Sequence, residues 1–259
     1  MVLSIVMPVL NEEKTAEDVI VKLLSTDFPQ VELELVIVND GSTDRSLEII
    51  RELAQTDKRI KVFSHDSPQG KGAALATGFS KTTGDIVIVQ DADLEYDCAE
   101  ISRLVKPILL DRADIVYGSR FKKSVLQVHR TYHAWANRIL TALSNIASGI
   151  QVSDMETCYK AFRGDIIRNA VLQCRHFGFE PEITAKIAKL HVRIFELPIT
   201  YYPRNYIEGK KITWRDGVAA MWHIFRFNYL TGINDSFTPD LPKKYLKRRD
   251  YDGFHSTSH

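Results

Sequence analysis

The sequence predicts an α/β fold with a mostly parallel central sheet flanked by helices. Three observations lead there. Short β-branched runs alternate with longer stretches of helical periodicity, the runs are mostly apolar, and polar clusters rich in Asp, Asn and Gly follow several of them. Continuous apolar strands are expected where helices cover both faces of a parallel sheet. The strands fall at Leu3 to Met7, Leu33 to Val38, Ile60 to Phe63, Ile86 to Val89 and Ile115 to Tyr117. The intervening periodicity predicts helices over about 13–25, 44–54, 71–82 and 98–109. These elements make a nucleotide-binding-like half, residues 1–120. The half from 121 to 230 is the expected acceptor side, with helices over about 131–147, 180–189 and 215–229 and a strand over about 192–197. The polar, basic tail from 231 to 259 is expected to be poorly ordered.

Bulk composition bounds the function. Hydrophobic residues make up 44% and charged residues 26% of the 259, which suits one compact domain and excludes a disordered or fibrous chain. The formal net charge of +1 gives no basic excess of the kind that binds nucleic acid, so no nucleic-acid partner is expected. Cys98, Cys158 and Cys174 are an odd set without CxxC spacing, which fits neither a disulfide framework nor a zinc knuckle and suits a reducing cytosol. VLSIVMPV lacks the basic flank of a signal peptide and reads as a first buried strand. Asn137, Arg138, Arg215, Asp216 and Arg226 break the longest apolar stretches, so no membrane span is expected.

In open parallel sheets ligands bind at the carboxyl ends of the strands. The first strand ends in Pro8-Val9-Leu10-Asn11-Glu12 and the second in Asn39-Asp40-Gly41-Ser42-Thr43-Asp44. Two roles fit these acids: accepting hydrogen bonds from a base or ribose, assigned to Asp40, or capping the next helix, a role shared with Ser42 and Thr43. Gly70-Lys71-Gly72 stands at a helix start, where free N–H groups and the dipole favour an anion, although a tight turn alone explains two glycines. Asp91-Ala92-Asp93-Leu94-Glu95 ends the fourth strand. Carboxylates one residue apart suit a hard ion, Mg²⁺ or Mn²⁺, with Asp91, Asp93 and Glu95 as ligands, while a solvated acidic turn is the plainer alternative.

PVLNEE, VNDGSTD, GKGAAL, DADLE and YGSR, in this order, resemble the family 2 glycosyltransferases of the GT-A (Rossmann-like) fold, in particular the dolichyl-phosphate mannose synthase and polyprenyl-phosphate glucosyltransferase branch. The resemblance implies that Pro8, Asn11, Glu12 and Asp40 hold the nucleoside and that Lys71 lies near the donor. It also implies that Asp91, Asp93 and Glu95 form the metal-binding stretch, although a Gln often stands where Glu95 does. Arg120, with Arg130, is expected to meet a lipid phosphate, for which a guanidinium is suited by its paired donors. Lys210 and Lys211 resemble a mobile basic loop that closes over diphosphate.

The implied reaction is an inverting transfer of a hexose from UDP- or GDP-sugar to a polyprenyl phosphate. Asp154 stands where many relatives carry a base for a hydroxyl acceptor; a phosphate needs none, and Asp154 could then orient Arg130 or the sugar. The alternatives are therefore a soluble transferase to a glycan or small sugar with Asp154 as base, and a catalytically silent nucleotide-binding regulator. Trp214, Trp222, Phe225, Phe227 and Tyr229, mixed with Arg215 and Arg226 and followed by Lys243, Lys244, Lys247, Arg248 and Arg249, suit a helix lying on the cytoplasmic face of a membrane. The same pattern fits a helix whose aromatics are core.

Overall fold

The structure, a computed structural model, describes residues 1–122, 131–176, 178–202 and 214–251. Strands β1 (Val2–Val9), β2 (Glu32–Asn39), β3 (Ile60–Ser64), β4 (Ile86–Val89), β5 (Ile115–Ser119), β6 (Lys160–Arg163) and β7 (Ile194–Pro198) form one sheet in the order β3-β2-β1-β4-β6-β5-β7. All run parallel except β6, which is antiparallel to both β4 and β5.

The expected helices form as α1 (Ala16–Ser25), α2 (Ser46–Thr56), α3 (Lys71–Lys81), α4 (Ile101–Leu109) and α5 (Thr131–Ser148), then, after a short unexpected α6 (Gly164–Ile167), as α7 (Phe179–Ile187) and α8 (Trp214–Tyr229). The buried residues of α1 and α4 keep the 3,4 spacing that a helix needs to cover a sheet. In α1 these are Ala16, Val19, Ile20 and Leu23, and in α4 Ile101, Leu104, Val105 and Ile108. Between the helices the strand residues Ile5, Val36 and Ile88 are fully buried, and on the face that carries Val6 and Val38 the cover is α3, whose Gly78 allows it to approach Val6 closely. Each such side chain contributes roughly 1.5–3 kcal/mol relative to exposure.

This topology gathers the polar clusters at one edge. β1, β2, β4 and β5 all end there, so the segments after Val9, Asn39, Val89 and Ser119 emerge side by side. The reversed β6 starts at the same edge, which brings the segment 153–159 to it, and β7, parallel to β5, delivers Thr200 and Tyr201.

Two expectations are corrected. β6 was not expected, because Lys-Ala-Phe-Arg is only four residues long and opens on a charge. Lys160 is nevertheless fully buried: its ammonium donates to the carbonyl oxygens of Met155 (2.9 Å) and Thr157 and lies 4.9 Å from the centre of the Tyr117 ring. The tail is not loose either, as far as residue 251. Phe237, Leu241, Tyr245 and Leu246 are buried in the main core, and the backbone of Val171, His191 and Thr238 hydrogen-bonds across the junction. Isolated apolar residues without a period gave no signal, because contact rather than local pattern orders them.

Candidate active site

The loop after β1 is stitched to the loop after β2. Asn11, in the left-handed region at φ 55°, accepts from the Thr43 amide (2.8 Å), and its own N–H donates to Ser42 Oγ (3.0 Å). The Glu12 amide donates to Ser46 Oγ (2.8 Å), and Thr15 Oγ1 to the Ala92 carbonyl (2.9 Å), tying both loops to the acidic stretch. Pro8, half-buried, lies opposite Val38 one step before the strand ends. Ser42 and Thr43 therefore bind Asn11 rather than cap α2. Asp44 accepts from the first amide of that helix, Ser46, at 3.0 Å.

Asp40 is buried and its carboxylate is an anchor. Oδ1 accepts from His65 Nδ1 (2.7 Å) and the Gln69 amide (2.9 Å), and Oδ2 from the Gly70 amide (2.7 Å). A carboxylate offers about four lone-pair directions, so roughly one is left for a ligand. Asp40 thus sets the Gly70-Lys71-Gly72 turn as much as it can meet a nucleoside.

That turn corrects the expectation of an open anion site. The amides of Gly72 and Ala73 at the start of α3 already donate to the carbonyls of His176 (3.3 Å) and Arg175 (3.0 Å). The glycines exist for this approach: Gly70 has φ 102°, and a Cβ on Gly72 would lie 1.9 Å from the Cys174 carbonyl oxygen. What the turn presents is Lys71. Its ammonium is 2.9 Å from Asp91 Oδ1 and 3.3 Å from Glu180 Oε1. Burial opposes the charge, but Asp91 and then Glu180 hold the lysine pKa well above its ordinary value, so it is cationic.

Asp91, Asp93 and Glu95 lie on the turn after β4, all half-buried. They do not close into a three-carboxylate cluster. Asp91 faces Lys71, the Glu95 amide donates to Asp93 Oδ1 (3.1 Å), and Glu95 Oε2 accepts from the Tyr201 hydroxyl (2.6 Å). Among the described residues no three His, Cys, Asp or Glu side chains form a ready metal cluster. The all-oxygen pair Asp91 and Asp93 still fits a hard ion of the kind that takes one or two protein carboxylates and fills its shell with water and substrate phosphate oxygens.

After β5, Arg120 and Asp154 meet through two parallel bonds, Nε to Oδ2 at 2.7 Å and Nη2 to Oδ1 at 2.8 Å, and the Arg120 amide donates to Oδ2 at 3.0 Å. Asp154 is fully buried. Burial opposes the arginine's charge, yet Asp154 drives its pKa further up. Glu196 on β7 holds the Asp154 loop by accepting from the amides of Ser153 (2.7 Å) and Asp154 (3.1 Å), and it pairs with Lys122 at 2.8 Å. Arg130, Lys210 and Lys211 lie outside the described residues.

Sequence reading missed Glu180, Glu156, Glu196 and Tyr201. Glu180 had a local signal, an acid one residue into a helix after Gly178, while the others become visible only when β6 and β7 are placed. Glu156 is unusual: its Oε1 is buried without a hydrogen-bond partner among the described residues. Burial, and then the charge of Glu180, push its pKa from 4.5 up to about 7, against Lys160 and Arg120. The fold therefore binds this proton more tightly than the unfolded chain does. The resulting stability is complete below pH 4.5 and is lost as pH rises through about 7. Glu156→Gln copies the neutral acid. It should raise the melting temperature at pH 8 by about 2–4 °C per kcal/mol recovered and change it little at pH 5. A melting-temperature difference independent of pH would refute the assignment.

The sheet order and the polar loops gathered at its carboxyl edge define the GT-A class of α/β fold. The crystal structure of glucosyl-3-phosphoglycerate synthase from Mycobacterium tuberculosis in complex with Mn²⁺, UDP and phosphoglyceric acid superposes with a TM-score of 0.66, at 20% identity, covering 88% of this chain and 78% of that one. The chain belongs to glycosyl transferase family 2, whose model matches residues 4–170. It is 31% identical over 211 residues to the undecaprenyl-phosphate 4-deoxy-4-formamido-L-arabinose transferase of Edwardsiella ictaluri (strain 93-146), covering 80% of this chain and 62% of the relative. It is 31% identical over 207 residues to the low-salt glycan biosynthesis hexosyltransferase Agl6 of Haloferax volcanii, covering 78% of this chain and 48% of the relative. The matched region thus spans about three fifths and about half of these two proteins.

Proposed function

We propose that the chain transfers a hexose from UDP- or GDP-sugar to a polyprenyl phosphate, of the dolichyl or undecaprenyl kind, with inversion at the anomeric carbon. The observation that carries this reading is the Arg120–Asp154 pair. A fully buried carboxylate that already accepts three hydrogen bonds is poorly placed to deprotonate a hydroxyl, and a phosphate oxygen needs no base. Arg120 spends Nε and one Nη2 hydrogen on Asp154, and a guanidinium carries five donors, so it keeps capacity for an oxyanion. The undecaprenyl-phosphate transferase among the relatives supports the acceptor.

In this mechanism an acceptor phosphate oxygen attacks the anomeric carbon as its bond to the nucleoside diphosphate breaks. Lys71 supplies a fixed positive charge beside the departing phosphate. Asp91 and Asp93 are the residues that would hold Mg²⁺ or Mn²⁺, which when bound supplies Lewis-acid stabilisation of the leaving group. The Mn²⁺ and UDP in the fold neighbour support both the ion and the donor class. A transfer panel of UDP- and GDP-sugars with Mg²⁺ or Mn²⁺, against polyprenyl phosphate and against glycans, with mass analysis of products, tests the reading. Transfer to glycans alone would establish the hydroxyl-acceptor alternative, and nucleotide binding without transfer the silent regulator.

The reading also places the chain peripherally on the cytoplasmic face of a membrane. Among the described residues no helix is long and apolar enough to cross one. Exposed apolar side chains line one face of each of two helices that pack on one another: Trp135, Ile139, Leu143 and Ile146 on α5, and Val218, Met221, Trp222, Phe225 and Tyr229 on α8. Among the aromatics of α8 whose burial is described, Phe227 is fully buried, while Trp222, Phe225 and Tyr229 are exposed. Such a face suits the headgroup boundary. The protein should sediment with anionic vesicles, and the double variant Trp222→Ala, Phe225→Ala should weaken this about tenfold or more by removing two aromatic anchors. A wild-type protein that stays in the supernatant rules out the peripheral placement.

A further inference from the structure

Tyr201 stands between the two halves of the site and touches both. It follows β7 and is 5% exposed. Its hydroxyl donates to Glu95 Oε2 at 2.6 Å, two residues beyond Asp93, and the Arg120 guanidinium carbon lies 5.1 Å from its ring centre. The segment around it is zipped along the acidic turn: the Tyr202 amide donates to the Glu95 carbonyl (2.8 Å), Tyr201 bridges Tyr96 antiparallel, and the two rings meet edge to face at 5.2 Å. Thr200 binds the Glu100 carboxylate through its amide (2.6 Å) and hydroxyl (2.9 Å). Burial, and then the charge of Glu95, push the phenol pKa up, so Tyr201 is the donor in its bond to Glu95.

We propose that Tyr201 is a positioning residue that sets the acidic turn through its hydroxyl and Arg120 through its ring, so that donor and acceptor halves are aligned by one side chain. The inference rests on the functional reading above and deepens it. It gives Glu95 a task other than metal ligation: a carboxylate receives the phenol, and the turn carrying Asp93 is braced from β7. A hydrogen bond to a charged group and a desolvated guanidinium over an aromatic face are each strong enough to change a binding constant about tenfold. The two functions can be separated chemically, because phenylalanine keeps the ring and loses the hydroxyl, while leucine loses both.

The test uses the full chain, with calorimetric titration of UDP and of GDP in the presence of Mn²⁺ and no acceptor, alongside the KM for a short polyprenyl phosphate in transfer assays. Tyr201→Phe is expected to weaken Mn²⁺-dependent nucleotide binding about tenfold and leave the acceptor KM within about twofold. Tyr201→Leu is expected to weaken nucleotide binding equally and raise the acceptor KM about tenfold. Equal effects of the two variants on acceptor KM, or lowered melting temperatures with both constants unchanged, would overturn the proposal. A wild-type protein that binds neither nucleotide overturns the functional reading, and the proposal with it; one that binds and transfers while the variants fail to separate overturns the proposal alone.

Discussion

Asp93→Asn is expected to lower metal-dependent transfer by about 10³-fold, the loss of roughly 4 kcal/mol of transition-state stabilisation. An amide keeps the size and hydrogen-bonding shape of the side chain while removing the charge that a hard cation requires. Asp93 is half-buried on a turn and accepts the Glu95 amide at 3.1 Å, a bond that Asn Oδ1 can also accept. The melting temperature should therefore stay within about 2 °C of wild type, as for most substitutions outside a core. Initial rates against Mg²⁺ and Mn²⁺ concentration check this, and a rate unchanged in Asp93→Asn would remove the metal assignment. Asp91→Asn should behave differently. It also strips Lys71 of its nearer partner, so stability falls together with rate.

Arg120→Ala should have the largest combined effect. It strands the Asp154 carboxylate, which is fully buried, and breaking one partner of a buried pair costs roughly 3–5 kcal/mol. In a domain of this size that is a fall in melting temperature on the order of 10 °C. The double variant Arg120→Ala, Asp154→Asn removes the stranded charge and should recover most of the stability without recovering use of a phosphate acceptor. Arg120→Lys keeps the charge but loses the planar fork and should raise acceptor KM about tenfold to a hundredfold. Asp154→Asn alone separates the two enzymatic readings. Against a phosphate acceptor its loss should follow from a misplaced Arg120 and show no change in pH profile. A base would leave a hydroxyl acceptor's pH-rate curve without its acidic limb.

The gathering of the polar loops of residues 1–120 at one sheet edge is legible in the sequence because its pattern is local. Asp40, Asp91 and Asp93 each follow a largely apolar run that reads as a buried strand, Lys71 opens the helix after the third strand, and in a parallel sheet strand ends share an edge. What each of those residues does there was not legible. Whether Asp40 meets a base or anchors the Lys71 turn depends on His65, Gln69 and Gly70, and whether the start of α3 is open depends on the carbonyls of Arg175 and His176, a hundred residues away in the chain. Asp154 stands out by position, as a base for a hydroxyl acceptor or, with a phosphate acceptor, as a group that orients Arg130 or the sugar. The pairing with Arg120 required β6 to run backwards between β4 and β5.

By itself, then, the sequence determined the strand and helix periods, the parallel half and the placement of its acids and lysine at the carboxyl edge, since these follow from residue patterns a few positions long. Tertiary structure alone decided which of those groups are spoken for. Glu95 turns to Tyr201, Asp154 to Arg120 and Lys71 to both Asp91 and Glu180, and the tail from 231 to 251 packs instead of fraying. The physical reason is that a carboxylate's role is set by the donors and charges that reach it within about 3 Å, and in this fold those arrive from strands whose order along the sheet differs from their order along the chain.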